Sequence, residues 1–344
     1  MNWKHVSLGE ISVNIQTGPF GSQLHQSDYS EKGTPVVMPK DLISGHISEE
    51  SIARVSDDHV ERLSRHKIEV GDILYSRRGD VGRCAFASET EAGWLCGTGC
   101  LRVTIDSRKA NPKFVFYQLL KADTIGWVEK HAVGSTMLNL NTSILSSVPI
   151  DLPSHDKQNH IVGVLSAYDD LIENNQKQIK LLEEAAQRLY KEWFVDLRFP
   201  GHETTPIVDG VPDGWTYKPF SEVFDYVRGK SYTSKELSDT TGILMANLKN
   251  IRAFGGYNRN AEKRFTGQYK ANQMLYAGDI VMGVTDMTQE RRLVGHVALV
   301  PDLGEKMTFS MDLIKIIPKL TDNLFLYSAM YYGGLSKQIS PLAN

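Results

Sequence analysis

Residues 154–199 read SHDKQNHIVGVLSAYDDLIENNQKQIKLLEEAAQRLYKEWFVDLRF, and this stretch decides how the chain is organised. It contains no proline and a single glycine, and its apolar residues recur every seven positions. The two rows are Leu165, Ile172, Ile179, Ala186 and Trp193, and Ile161, Tyr168, Asn175, Leu182 and Leu189. Such an a/d pattern indicates a long coiled-coil helix, on the order of 55 Å at ~1.5 Å per residue. Asn175 at a seam position lowers stability but fixes register and partner.

The sequences before and after this helix are two copies of one pattern, offset by roughly 210 residues. Short apolar or β-branched runs predict strands in each copy, and Gly-Asp pairs before Ile73 and Ile280 predict turns that lead into strands. Asn111-Pro112 predicts the start of a helix. The matching segments, in the same order in both copies, are 3–8 with 215–220, 36–38 with 243–245, 70–74 with 277–281, 81–82 with 294–295, and 114–117 with 324–327.

We therefore predict an α/β (α+β) fold with two related globular copies separated by a long coiled-coil helix. The predicted division is 1–153 for the first copy, 154–199 for the helix, 200–212 for a linker and 213–344 for the second copy. The second copy stops where the counterpart of Gly134 would come, so we expect it to lack its end and a distal helix. Because an apolar seam needs a partner in water, pairing of two chains and packing of the helix on its own copies both remain open.

The composition is that of a globular chain. Of its 344 residues, 41% are hydrophobic and 23% are charged. No run of about 18 apolar residues occurs and no apolar stretch follows the N-terminus, so we expect neither a membrane span nor a signal peptide. Three cysteines favour reduced thiols in the cytoplasm. Since the net charge is −3, any contact with DNA must come from local basic patches.

Several short segments in and before the helix carry recognisable motifs. They are 134–141 (GSTMLNLN), 148–153 (VPIDLP), Gln158 with Ile161, 169–175 (DDLIENN) and 189–195 (LYKEWFV). They resemble the central conserved region of type I restriction-modification specificity subunits, except that Lys157 replaces the usual acidic residue at the helix start. The openings of both copies and the Gly-Asp-Ile positions also look like that family's target recognition domains, so the resemblance covers essentially the whole chain.

The resemblance implies that each copy is a target recognition domain that reads one half of a split site in double-stranded DNA. It implies that the helical region is a spacer and a docking surface for two methyltransferase (M) subunits. Restriction (R) subunits would then join this complex. Those methyltransferases would bind S-adenosylmethionine and methylate adenine at N6. The chain itself would need no cofactor and perform no catalysis. The missing distal helix departs from the family pattern and affects both helix pairing within one chain and the second methyltransferase site.

Basic and polar residues after predicted strands are the candidate DNA contacts. Arg77 and Arg78 lie in the Gly-rich segment 76–82, where one could meet guanine and the other a phosphate. The alternative is an exposed turn balanced by Asp80. The corresponding loop of the second copy, 283–292, is longer, as a different target would require. The candidates are Gln23, Lys40, Ser76, Arg77, Arg78, Arg83, Lys249, Thr285, Arg291 and Arg292 for DNA, and Leu165, Tyr168, Ile172, Asn175, Ile179, Leu182, Leu189 and Trp193 for helix pairing or partner docking.

The competing interpretations are a catalytic DNA methyltransferase or nuclease and, less favoured, a coiled-coil scaffold. An adenine methyltransferase would need an Asn/Asp-Pro-Pro-aromatic motif, and 111–114 (NPKF) lacks the second proline. No phosphate-binding Gly-x-x-x-x-Gly-Lys-Ser/Thr motif occurs. No Cys-x-x-Cys pair occurs, so we expect buried thiols and no metal site. A pure scaffold would leave the two related globular copies unexplained.

Overall fold

The computed structural model describes residues 3–134, 138–253, 256–259, 261–286 and 292–342. The chain forms two compact units, Met1–Asn174 and Asn175–Asn344. The division falls inside the long central helix, so each unit contains part of that helix and one α/β module. The predicted boundaries at 153, 199 and 212 follow the sequence repeat and stay a prediction.

The main sheet of the first unit is antiparallel and has four strands. Its central strand, Cys100–Ile105, alternates between core and surface: Leu101 and Val103 are fully buried, while Arg102 and Thr104 are half-buried. This period of two is what a sheet with one face on a core requires. In order across the sheet, the strands are Ser12–Thr17, Cys100–Ile105, Ile73–Ser76 and Cys84–Phe86.

A second sheet of four short strands packs a smaller core in the same unit. Its order is Leu95–Cys96, Thr34–Val37, Ala53–Val55 and Tyr29–Ser30, and only the first pair is parallel. Two further pairs are Lys4–Ser7 with Pro149–Leu152 and Leu42–Ile43 with His46–Ile47. The α-helices of this module are Leu8–Ile11, Asp57–Arg62, Pro112–Leu119, Ala122–His131 and Thr142–Ser146.

The second unit repeats this topology. Its main sheet has the order Phe224–Arg228, Leu313–Pro318, Ile280–Gly283 and Val297–Leu299, all antiparallel. Its second sheet has the order Leu237–Ser238, Lys263–Phe265, Ile243–Ala246, Met307–Phe309 and Met274–Leu275, with one parallel pair, Ile243–Ala246 beside Met307–Phe309. The remaining pairs are Ile251–Arg252 with Gly256–Tyr257 and Ile207–Val208 with Val211–Pro212, and the α-helices are Phe220–Val223, Asn323–Tyr332 and Leu335–Ile339. Apart from the additional strand Met274–Leu275 in the second sheet, the strand order is shared, which confirms the predicted repeat and fold class.

Local sequence explains why the same elements form twice. Gly71 and Gly278 both have a left-handed backbone, with φ of +90° and +87°, in the turns before the strands that begin at Ile73 and Ile280. The helix Pro112–Leu119 begins at Asn111, whose side chain accepts hydrogen bonds from two backbone N–H groups of the first turn. Asp322 caps Asn323–Tyr332 in the same way. The predicted Gly-Asp turns and the helix start at Asn111-Pro112 are therefore confirmed.

The central helix runs from His155 to Tyr190 and continues as a π-helical turn, Lys191–Val195. Its first turn is held by Gln158, which is 1% exposed. The Gln158 side chain accepts from the Asn111 N–H at 2.8 Å and donates to the Pro153 carbonyl at 2.9 Å. Three turns later, the Tyr117 hydroxyl donates to Asp169 at 2.5 Å.

The other end of this helix packs on aromatic side chains of the second unit. The rings of Tyr190 and Phe194 lie 5.2 Å apart, and Phe194 meets Phe325 edge-on at 5.1 Å. Trp215 lies 5.7 Å from Phe194. An offset or edge-on arrangement of this kind stabilises aromatic pairs beyond the area they bury. Among the helices of the described ranges, none combines the length and apolar character that a membrane crossing needs.

Candidate nucleic-acid interface

Two loops of the first module meet at one end of its main sheet. The Gly18 N–H donates to the Cys100 carbonyl at 2.9 Å, and the Arg77 N–H donates to the Gly99 carbonyl at 2.8 Å. The segment 97–100 therefore lies between the loop that follows Ser12–Thr17 and the loop that follows Ile73–Ser76. A Cβ at Gly18 would overlap the carbonyl oxygen of Gly97, so the approach of these backbones requires glycine.

The segment 76–83 carries Arg77, Arg78 and Arg83, and we call it the arginine turn. It also pairs with the segment that carries the Asn-Leu-Asn motif. Arg78 forms an antiparallel bridge with Asn139, and the Leu140 N–H donates to the Arg77 carbonyl at 2.8 Å. The Gly79 N–H donates to the Leu138 carbonyl at 3.1 Å. Residues 135–137 of the motif lie outside the described residues. Three segments that are far apart in sequence are thus brought to one edge of the module, and we call them the loop edge: 18–25, 76–83 and 138–140.

The candidate side chains on the arginine turn differ in exposure. Arg78 is exposed, whereas Arg77 is half-buried and its Nε is buried without a hydrogen-bond partner in the described part of the chain. Arg83 is exposed and lies 2.6 Å from Asp80. Ser76 is 1% exposed, and its hydroxyl donates to the Arg78 carbonyl at 3.1 Å. Ser76 therefore stabilises the turn, and a contact of Ser76 with DNA stays a prediction.

Gln23 has a structural role in the first loop. Its side-chain oxygen accepts from the Phe20 N–H at 3.1 Å, which closes a turn. The sequence interpretation did not single out Phe20, although its ring is large and 56% exposed. An aromatic residue in a Gly-Pro-aromatic-Gly segment was the available signal.

Lys40 and Lys249 occupy equivalent positions in the two modules. Each is the middle residue of a three-residue 3-10 turn after a strand, Pro39–Asp41 and Leu248–Asn250. In each turn the side chain of the third residue accepts from the backbone N–H of the residue before the turn, at 2.8 Å in both cases. The Lys40 ammonium donates to the Ser51 carbonyl at 2.7 Å, and Lys249 is exposed. The structure places these lysines on matching turns, and their contact with DNA stays a prediction.

The second module has an edge of the same construction. The Val284 N–H donates to the Asp312 carbonyl at 3.0 Å, as Arg77 does to Gly99, and the Thr285 hydroxyl donates to the Asp312 carboxylate at 3.0 Å. The Lys230 N–H donates to the Phe309 carbonyl at 2.7 Å. Lys230, which directly follows the glycine equivalent to Gly18, is a basic residue that the sequence interpretation missed. Arg292 is exposed, and Arg291 lies outside the described residues.

The two modules differ in the lengths of these loops. Seven residues, 77–83, separate Ile73–Ser76 from the next strand of the first module, but thirteen, 284–296, follow Ile280–Gly283. Conversely, the loop between the first strand of the main sheet and the following 3-10 turn is longer in the first module. It has eight residues, 18–25, in the first module and five, 229–233, in the second. The strand order is kept while these loops change, which is typical of a scaffold that carries variable binding residues.

The middle of the central helix is exposed on its predicted seam. Burial is confined to the ends, where Ile161 and Trp193 are half-buried and Leu165 is 38% exposed. Asn175 is exposed. The other seam residues are at least half exposed: Tyr168 64%, Ile172 52%, Ile179 57%, Leu182 70% and Leu189 51%. The role of these residues in helix pairing or partner docking stays a prediction.

The three cysteines lie inside the first module, as the sequence predicted. Cys84, Cys96 and Cys100 are free and buried. Burial raises the pKa of Cys84 and Cys96 to about 12 and raises the pKa of Cys100 well above its ordinary value. Because the thiolate is the reactive form, these residues serve as core side chains. The described residues contain no group of three or more histidine, cysteine or acidic side chains that could hold a metal ion.

Comparison with known proteins agrees with this architecture. The model of a family described as "Type I restriction modification DNA specificity domain" matches residues 1–184. The specificity subunit of type I restriction enzyme MjaIX from Methanocaldococcus jannaschii is 29% identical over 211 residues, which are 59% of this chain and 48% of that protein. The HindI specificity subunit of Haemophilus influenzae is 27% identical over 199 residues, 57% of this chain and 41% of that protein. The match thus spans less than half the length of either relative.

A solved structure shares the fold. The crystal structure of the type I restriction-modification system S subunit from M. genitalium aligns over 99% of this chain and 80% of that one, with a TM-score of 0.59 at 15% sequence identity. At that identity the likeness shows the fold. Since the family model matches more than half of the 344 residues, this protein belongs to the type I restriction-modification DNA specificity domain family.

Proposed function

We propose that this chain is the specificity subunit of a type I restriction-modification complex and reads a bipartite target in double-stranded DNA, one half with each module. The observation that carries this proposal is the repeated scaffold: two modules keep one strand order but differ in the length of the loops at the same edge. Two readers with different loops would recognise two different half-sites at a separation that the connecting helix controls.

The proposal divides the chain by role. Residues 1–153 form the first target recognition domain, 154–199 the helical spacer, 200–212 a linker and 213–344 the second target recognition domain. The candidate DNA-contacting residues are Gln23, Lys40, Ser76, Arg77, Arg78, Arg83, Lys249, Thr285, Arg291 and Arg292. Since the net charge is −3, these local groups must supply the phosphate contacts as well as the base contacts.

The exposed seam of the central helix supports a role in assembly. Tyr168, Ile172, Ile179 and Leu182 present apolar surface that a partner helix would bury. We propose that two chains pair through this seam and that the helical region also docks methyltransferase subunits, which restriction subunits then join. Asn175 would set the register of the pair.

We assign the chemistry to the partner subunits. The methyltransferase subunits would bind S-adenosylmethionine and transfer its methyl group to adenine N6, while this chain supplies sequence recognition and holds no cofactor. The curated relatives are named specificity subunits, which supports this division of labour. The complex would act in the cytoplasm, where its DNA substrate lies.

Methylation mapping tests the proposal. The chain is co-expressed with its cognate methyltransferase subunit, and N6-methyladenine is mapped by long-read sequencing, with the methyltransferase alone as the control. We expect a split motif, two short specified halves around a fixed gap, that depends on this chain. Inverted copies of one half would mean that one module acts twice in a pair of chains. Methylation that is unchanged without the chain, or that follows one uninterrupted motif, would contradict the proposal.

A further inference from the structure

Phe20 is displayed to solvent by a hydrogen-bonded turn. Its carbonyl accepts from the N–H groups of Gln23 and Leu24, at 2.8 and 3.2 Å, and its own N–H donates to the Gln23 side chain. Leu24 is 4% exposed and packs in the core beneath the second sheet. The turn is thus anchored at one end while a large apolar ring, 56% exposed, points away from the core.

The turn that carries this ring is joined through residues 98–99 to the segment of Arg77 and Arg78. The Thr98 hydroxyl donates to the carbonyl of Pro19, the residue before Phe20, at 2.9 Å. The next residue along, Gly99, accepts from the Arg77 N–H at 2.8 Å. Phe20 and the two arginines are therefore presented from one edge of the first module, the apolar group next to the cationic groups.

The repeat shows that this turn is additional to the common scaffold. The loop of the first module, 18–25, is three residues longer than its counterpart, 229–233. Between Gly229 and Thr233 the second module has Lys230, Ser231 and Tyr232, and no phenylalanine. The Tyr232 ring is half-buried and lies 5.7 Å from the Lys263 ammonium. The exposed ring thus belongs to the part of the edge that distinguishes one module from the other.

We propose that Phe20 is a specificity-determining residue that recognises a thymine in the first half-site by packing on its C5-methyl group in the major groove. The inference rests on the proposed function. Among the groups that base pairs present in that groove, the thymine methyl is the apolar one, and a phenylalanine ring can cover it without needing a hydrogen bond. The neighbouring arginines would supply the charged contacts that hold the duplex.

The test removes the methyl group from the DNA and the ring from the protein in turn. Duplexes bound by the complex of this chain with its methyltransferase subunit are selected from a randomised pool, and each specified thymine is then replaced by deoxyuridine. Burial of one methyl group corresponds to about a fourfold change in affinity. We expect one thymine in one half-site at which deoxyuridine weakens the wild-type complex by about that factor and leaves Phe20→Ala unaffected.

A matched control separates this effect from a general loss of surface. Val70 is 59% exposed and lies in the turn before Ile73–Ser76, at the opposite end of that strand from Arg77, so Val70→Ala should keep the deoxyuridine response. Phe20→Leu, which retains an apolar side chain, should keep part of the deoxyuridine response. Thermal unfolding of each variant, followed by circular dichroism, checks that the fold is intact.

Three results would overturn the inference. They are the absence of any methyl-sensitive thymine in the wild-type scan, a methyl response that persists in Phe20→Ala, and a loss of affinity in Phe20→Ala that is equal for selected and random duplexes. In each case a wild-type complex that still selects a split motif leaves the proposed function standing. If the wild-type complex selects no motif at all, both the proposed function and the inference about Phe20 are overturned.

Discussion

The guanidinium of Arg102 lies 3.6 Å from the buried carboxylate of Asp72, beneath the strands Cys100–Ile105 and Ile73–Ser76. The second module repeats the relationship, with Lys315 of Leu313–Pro318 at 3.4 Å from Asp279. In both modules the cation also donates to a backbone carbonyl of the neighbouring segment, Arg102 to Lys67 and Lys315 to Met274. An ion pair at matching positions, with a buried carboxylate in the first module and a half-buried one in the second, is therefore part of the common scaffold.

Removal of the cation should destabilise the first module strongly. The Asp72 side chain is 1% exposed and burial raises its pKa, so Arg102→Met would leave a buried carboxylate with hydrogen bonds from Thr104 and Glu69 but without its cation. We expect the free energy of unfolding, measured with urea, to fall by about 3–5 kcal/mol. Arg102→Lys should be milder, because the second module holds the same position with Lys315. Equal losses in the two variants, or no loss in the methionine variant, would contradict this account.

Stability should fall as the solution becomes acidic, partly through His66. This histidine is 2% exposed, and burial together with the charges of Arg65 and Arg102 lowers its pKa from the ordinary 6.5. The unfolded chain then takes up a proton at a higher pH than the folded chain, so stability is lost as pH falls through about 6.5 and levels off below the folded pKa.

The second module offers the control substitution for His66. Gln273 occupies the equivalent position, and its side chain donates to the Arg228 carbonyl at 3.2 Å. His66→Gln should therefore reduce the change in unfolding free energy between pH 7.5 and pH 5.5. Burial also lowers the pKa of His296, so part of the slope should remain. An unaltered slope in urea titrations across this range would rule out the His66 contribution.

The close approach of Gly18 to Gly97 should not tolerate a methyl group. We expect Gly18→Ala to lower the free energy of unfolding by about 1–3 kcal/mol, because the backbone must move to relieve the overlap. Gly21 is in the same loop, and a Cβ there would meet no heavy atom within 4 Å. Gly21→Ala should stay within about 0.5 kcal/mol of the parent. Urea unfolding of both variants checks the difference, and similar losses would argue against the packing role.

The arginine turn should contribute to specific DNA binding. Arg77→Ala with Arg78→Ala is expected to weaken binding of the selected duplex by about 1–3 kcal/mol for each base interaction that the substitutions remove. Arg108, 87% exposed and placed beyond the other end of Cys100–Ile105, provides a control for the loss of a surface arginine away from the loop edge. Fluorescence anisotropy at two salt concentrations measures both changes. Unchanged affinity and motif in the double variant would remove these arginines from the interface.

The exposed seam should control self-association. Ile172→Glu with Ile179→Glu places charges on the stripe, and since both residues are more than half exposed, the unfolding free energy should change by less than about 0.5 kcal/mol. We expect the wild-type chain to sediment as a pair at micromolar concentration and the double variant to sediment as a monomer. Leu181 is 64% exposed but lies about 200° around the helix from Ile179, so Leu181→Glu should leave the pair intact. A wild-type chain that sediments strictly as a monomer would contradict self-pairing.

Local patterns account for what sequence reasoning predicted correctly. The heptad spacing from Ile161 to Trp193 indicated the helix because apolar residues that recur at helical spacing form one stripe along a helix. The paired Gly-Asp turns indicated the repeat because a left-handed glycine before a strand is required by backbone sterics at that point. The α-helix ends at Tyr190 and passes into a π-helical turn, a change that heptad spacing does not encode.

The sequence by itself determined the long helix, the two α/β copies and the family, since each follows from residue spacing over a short range or from sequence motifs. Only the tertiary structure decided which residues share the loop edge. Backbone hydrogen bonds join Gly18 to Cys100, Arg77 to Gly99 and Leu140 to Arg77 across many intervening residues, and no local preference specifies such pairings. Packing likewise decided which side chains are buried. Ser76 is buried and Phe20 is exposed, because the accessibility of a side chain depends on what the rest of the chain places over it.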